Sequence, residues 1–116
     1  MQTLNIVSLR KRLLQDDELV FMVLEQYSRD LPLQLEKLRH AVAVEDMREV
    51  ARLAHKIKGS SGNVGAELLQ EMTSEAEQAA LREDRHAVDT LLPAIGSHVL
   101  ELQKEMETFL LQSPSS

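Results

Sequence analysis

Apolar residues recur along this chain at three- and four-residue steps, the spacing of one face of a helix. A short apolar-rich stretch, Val7–Leu14, comes first and predicts a short N-terminal helix. The segment DDELVFMVLEQYSRDLPLQLEKLRHAVAVED follows, with Leu19, Val20, Met22, Val23, Leu24, Leu31, Leu35, Leu38 and Val42 in helical register. Asp16 and Asp17 suit its start, because carboxylates accept from the free N–H groups there. Pro32 lacks a backbone donor and predicts a kink or break near Asp30. Asp46 suits the start of a helix through MREVARLAHKIKGSSG, and GNVG at 62–65 reads as a tight connection. AELLQEMTSEAEQAALRED then predicts a third long helix. RHAVDTLLPAIGSHVLELQKEMETFLL predicts a fourth, with Pro93 and Gly96 as places where it can kink. No strand-like alternation and no internal repeat appears. Long helices on short connections predict an all-α antiparallel four-helix bundle with a short extra N-terminal helix, against the alternative of another all-helical fold.

Length and composition narrow this further. The 116 residues fit a single domain over 1–116, with a core at about 6–110 and a frayed tail at 111–116. Apolar residues at 43% and only four glycines and three prolines mark a folded chain. Phe21, Tyr27 and Phe109 are the only aromatics, so the core must be aliphatic. With no cysteine, disulfides and thiolate zinc sites are excluded, and a reducing compartment is compatible. No apolar run approaches membrane-spanning length, and the N-terminus lacks a signal-peptide stretch. The net charge of −6 argues against bulk nucleic-acid binding. A cytoplasmic monomer is expected.

The candidate chemistry lies in AHKIKGSSGNVGA, residues 54–66. At roughly 100° per residue, Val50, Leu53, Ala54, Ile57 and Ser61 share a core-facing stripe. His55 lies well off it, with Gly59 one turn further on and Arg48 and Arg52 on the same outer side. Lys58 stands three residues from His55, within side-chain reach. A glycine inside a helix costs about 1 kcal/mol relative to alanine. On an outer face, close approach of another molecule repays that cost better than packing does. Arg48, Arg52, Lys56 and Lys58 against Glu49 alone make a basic patch on an acidic protein, suited to an acidic partner or a phosphoryl group. A neutral imidazole is a nucleophile near neutral pH. The residues alone leave a second reading open, in which His55 is an ordinary surface residue on a solvated face.

The run His55 to Ala66 resembles the signature of histidine-containing phosphotransfer (HPt) domains, H-x-x-K-G-small-small-x-x-apolar-G-[A/L]. His55, Lys58, Gly59, Ser60, Ser61, Val64, Gly65 and Ala66 match it. The family also has an acidic or amide residue twenty-two positions after the histidine, here Glu77, and an upstream D-x-P, here Asp30–Pro32. The likeness covers roughly residues 6–110, and is strongest to the C-terminal modules of bacterial hybrid sensor kinases. It implies that His55 accepts a phosphoryl group at Nε2 from an aspartate of one receiver domain and passes it to another. It further implies that Lys58 stabilises the phosphoryl charge and that Glu77 orients the ring through Nδ1–H. Gly59 would give the receiver room, and Ser60, Gly62, Arg48, Arg52 and Lys56 would complete the binding surface. No cofactor is expected in this chain; the magnesium for transfer would belong to the receiver. The domain would be a phosphotransfer protein without ATP-dependent kinase activity, free-standing or as the cytoplasmic end of a membrane sensor kinase. Ala76 departs mildly from the pattern, where a larger apolar residue is common.

Other chemistries fit poorly. The glycines of 59–65 are not followed by the lysine and hydroxyl of a phosphate-binding loop. GSSGN does not match G-x-S-x-G, and no strand precedes it. His40, His55, His86 and His98 lack metal-binding spacing, and the other three histidines are expected at the surface. The serious alternative is a helical adaptor or inhibitor that docks on a kinase or receiver without being phosphorylated.

Overall fold

The computed structural model describes residues 4–14 and 16–111. Five helices and no strand appear among them: α1 (Ile6–Arg12), α2 (Asp17–Ala43), α3 (Met47–Asn63), α4 (Glu67–Leu81) and α5 (Arg85–Leu111). Residues 112–116, within the expected tail, lie outside the described residues.

The helix starts follow from short acidic and amide side chains. The carboxylates of Asp16 and Asp46 accept from the N–H groups of Leu19 and Glu49 at 3.1 Å each, and Asn5 caps α1 through Ser8. Asp84 does the same for Ala87 at the start of α5. The short turns use left-handed backbone at Glu45 (φ 61°) and Glu83 (φ 56°), which reverses the chain in about three residues.

α2 packs on α3, α3 on α4, α4 on α5, and α5 returns to α2. The shared interior is aliphatic as expected: Leu24, Leu31 and Leu38 of α2, Val50 and Ile57 of α3, Leu69 of α4, and Ile95, Leu102 and Met106 of α5 are buried. Each such side chain contributes roughly 1.5–3 kcal/mol by leaving water. Two of the three aromatics, Phe21 and Phe109, stack across α2 and α5 at 5.0 Å between centroids.

Three expectations change. α2 runs unbroken through Pro32, without the break allowed for near Asp30, whereas α5 is the single helix expected, continuing through Pro93. Both prolines are exposed, while flanking core residues such as Leu31 and Leu35 hold α2 in place. α3 also extends to Asn63, so the connection is Val64–Ala66 rather than all of GNVG. Finally, His98 is buried, not a surface residue. It stands three residues after Ile95 and one before Val99, inside the α5 core stripe, so tertiary packing outweighs its polarity. His40 and His86 are exposed as expected.

Candidate functional site

α3 sorts its residues by face. Val50, Leu53, Ala54, Ile57 and Ser61 are all buried, as the stripe demands. That fixes the rotation of the helix and turns His55 outward, with its side chain 67% exposed. Beside it Gly59 lies open: a β-carbon placed there meets nothing within 4 Å. Nothing inside the protein therefore requires a glycine at 59.

His55 is exposed but not free. Its Nδ1 lies 2.9 Å from Oε2 of Glu77 on α4, and the other oxygen of that carboxylate accepts from Lys58 Nζ at 3.0 Å. A carboxylate only accepts, so Nδ1 carries the hydrogen. In the neutral ring this leaves the lone pair on Nε2, the nitrogen available to an electrophile. Burial raises the pKa of Glu77, but the hydrogen bond and charge of Lys58, followed by those of His55, outweigh it and hold the carboxyl below its usual 4.5. Glu77 is thus an anion that grips both candidate residues of α3. Lys58 is held by Glu77 in this state, an arrangement that the one-dimensional spacing of the two did not reveal.

The rest of the signature is internal. Ser61 and Tyr27 of α2 share a buried 2.6 Å hydrogen bond, and burial pushes the Tyr27 hydroxyl well above its usual value despite that bond. Val64 and Ala66 are buried in the turn. Gly65 has φ +78°, and a β-carbon there would stand 2.8 Å from the carbonyl oxygen of Asn5, whose own N–H donates to Gly65 O. Gly62 differs from Gly59: its vacant side is taken by Gln70, whose amide would lie 2.7 Å from an added β-carbon. Only Gly59 leaves open ground for a partner. Ser60 is half-buried and donates to Ile57 O at 3.2 Å.

Among the basic residues, Arg52 is occupied, donating to both oxygens of Glu49 at 2.5 and 2.8 Å. Arg48 and Lys56 are exposed on the same helix. Ser60 and Asn63 also border an apolar groove of about 410 Å³ shared with Leu19, Met22 and Val23 of α2. Among the described residues no group of three or more His, Cys, Asp or Glu is placed to hold a metal ion. Sequence reasoning missed Tyr27 and Asn5, because neither signals its partner: each pairs across helices with a residue more than thirty positions away.

The family model of the Hpt domain matches residues 22–110, most of the chain and all of the α3–α4 site. The chain belongs to the Hpt domain family. A solved structure, the HPt domain of a sensor hybrid histidine kinase from Shewanella, superposes with a TM-score of 0.86 over 97% of both chains at 20% identity. That likeness shows the fold. No curated protein matches. As an Hpt domain the chain is a phosphorelay intermediate, a module that exchanges phosphoryl groups with receiver domains in two-component signalling. The matched span includes His55, the exposed histidine turned out from α3.

Proposed function

We propose that His55 is the phosphoryl acceptor. Its Nε2 attacks phosphorus of an aspartyl phosphate on a receiver domain. The N–P bond forms, the acyl P–O bond breaks, and the receiver aspartate leaves as a carboxylate. Nδ1 keeps its proton throughout, because Glu77 accepts from it and stabilises the positive charge that develops on the ring. The second transfer is the reverse, onto an aspartate of another receiver. Lys58, within reach of the same face, moves from Glu77 toward the arriving phosphoryl oxygens and neutralises them. Gly59 lets the receiver's active site close on the imidazole, with Ser60, Arg48, Arg52 and Lys56 around it. The magnesium needed for transfer comes with the receiver, and the chain has no ATP-dependent kinase activity of its own.

The observation that carries this reading is the single carboxylate of Glu77 holding both His55 and Lys58. The same reading takes α2 to α5 as an antiparallel four-helix bundle with α1 as an extra N-terminal helix, and the chain as one domain over 1–116 that works as a cytoplasmic monomer. Arg85 Nη1 meets Glu45 Oε2 at 2.7 Å, which brings the α2–α3 and α4–α5 turns together at one end, as such a bundle requires.

The test is incubation with a panel of phosphorylated receiver domains, wild type beside His55→Gln. Acid-labile, base-stable label on the wild type alone is the expected result. Equal label on both variants rules out His55 as acceptor. A folded wild-type chain that binds receivers but takes no label favours the docking adaptor.

A further inference from the structure

α3 ends without a basic residue in its last turn, and its terminal carbonyls carry the negative end of the helix dipole. The charge that meets them comes from α1. Arg12 Nη1 donates to Gly62 O at 3.0 Å. α1 is held there by its other end, where Asn5 N donates to Gly65 O at 2.8 Å and Asn5 Nδ2 to Glu67 Oε1 at 2.9 Å. Arg12 is exposed, and no ion pair engages it among the described residues. A guanidinium has five N–H donors, and among the described residues only Gly62 O accepts from this one.

Its position relative to His55 follows from helix geometry. Gly62 comes seven residues after His55, two turns on, roughly 10 Å along the axis and within about 20° of the same side. The α4 contacts agree: Glu77 meets His55 and Gln70 meets Gly62, again seven residues apart. A standard interface covers about 800 Å² per partner, a patch roughly 16 Å in radius. A receiver centred on His55 therefore reaches Arg12 at its rim.

We propose that Arg12 is a specificity-determining contact for the receiver, pairing with a carboxylate at the rim of the docked partner. Gly62 O fixes the guanidinium through one of its donors, and no other partner engages it among the described residues. This rests on the assignment of His55 as acceptor. Rim charges act on encounter rate and salt dependence rather than on the chemical step. The opposing explanation is that Arg12 only caps α3, which predicts a loss of stability and nothing more.

The experiment compares wild type with Arg12→Ala and Arg12→Glu. The donor is the first receiver domain found to label the wild type, its concentration and the salt concentration both varied. Phosphoramidate, a small histidine-phosphorylating reagent, serves as a receiver-independent donor, and thermal unfolding is followed in parallel. The expected result is an apparent KM for the receiver raised about fivefold or more in Arg12→Glu at low salt. The saturating rate and phosphoramidate labelling stay within about twofold, and the salt dependence is shallower than in wild type. An unchanged KM and salt dependence, with or without a lower melting temperature, overturn the proposal and leave Arg12 a helix cap. Equal losses with phosphoramidate also overturn it, since the defect then lies at His55. Wild type labelled by phosphoramidate but by no receiver removes the relay reading, and this contact with it.

Discussion

At the scale of single residues the site turns on Glu77. Its carboxylate sets the imidazole tautomer and holds Lys58, so Glu77→Ala should slow transfer from a phosphorylated receiver roughly 10- to 100-fold, the range seen when a metal-bound histidine loses its orienting carboxylate. Circular dichroism should show the helices intact. The folded protein depresses the pKa of this carboxyl, so its contribution to stability is complete above the ordinary value of 4.5 and is lost as pH falls through the lower folded value. Urea unfolding of wild type and Glu77→Ala should accordingly differ at pH 7 and converge in strong acid; a gap that widens on acidification contradicts the assignment. Gly59 gives the complementary case. With nothing within 4 Å of a β-carbon, Gly59→Ala should stabilise the fold by about 1 kcal/mol. Gly59→Trp should leave the fold intact and slow receiver-dependent transfer. Normal transfer in the tryptophan variant would show that no partner comes close to that face. The outward placement of His55 and Gly59 was legible from helical periodicity, and the pairing of Glu77 with His55 from the resemblance to the signature spacing. The ion pair between Lys58 and Glu77 was not, since it depends on the packing of α3 against α4.

At the scale of elements, the buried hydroxyl pair of Tyr27 and Ser61 ties α2 to the helix that presents His55. Tyr27→Phe strands the Ser61 hydroxyl in an aliphatic core and should cost about 1–3 kcal/mol in chemical denaturation. The double change Tyr27→Phe with Ser61→Ala should recover part of that loss, because no polar atom is then left unpaired. Additive losses would mean the bond contributes little. Here the sequence was only partly informative. Ser61 was placed on the core stripe by its period, but its partner was not identifiable. Pro32 misled in the other direction: it allowed for a break, yet α2 continues, because long apolar stripes on either side outweigh one missing hydrogen bond. His98 was hidden for a similar reason, its polarity masking a core register.

At the scale of the whole molecule, four long helices form an elongated body of 46 × 23 × 21 Å with the histidine on its flank. The body carries a net charge of −6, whereas the outer face of α3 is basic. The molecule thus gathers positive charge on the helix that presents His55. The all-helical class was legible from hydrophobic spacing alone, and the aliphatic core followed from composition. The way α1 folds back onto the α3–α4 turn was not legible, because it rests on backbone contacts at Gly65 that leave no mark in the pattern of side chains. The central claim is that an outward-facing Nε2, selected by Glu77, takes the phosphoryl group. The most direct measurement is nitrogen-15 and phosphorus-31 NMR of the chain after labelling by a phosphorylated receiver, which reads the bonded ring nitrogen. Phosphorus coupled to Nε2 of His55, with Nδ1 still protonated, is the expected result. Phosphorus on Nδ1, or on any residue other than His55, contradicts it.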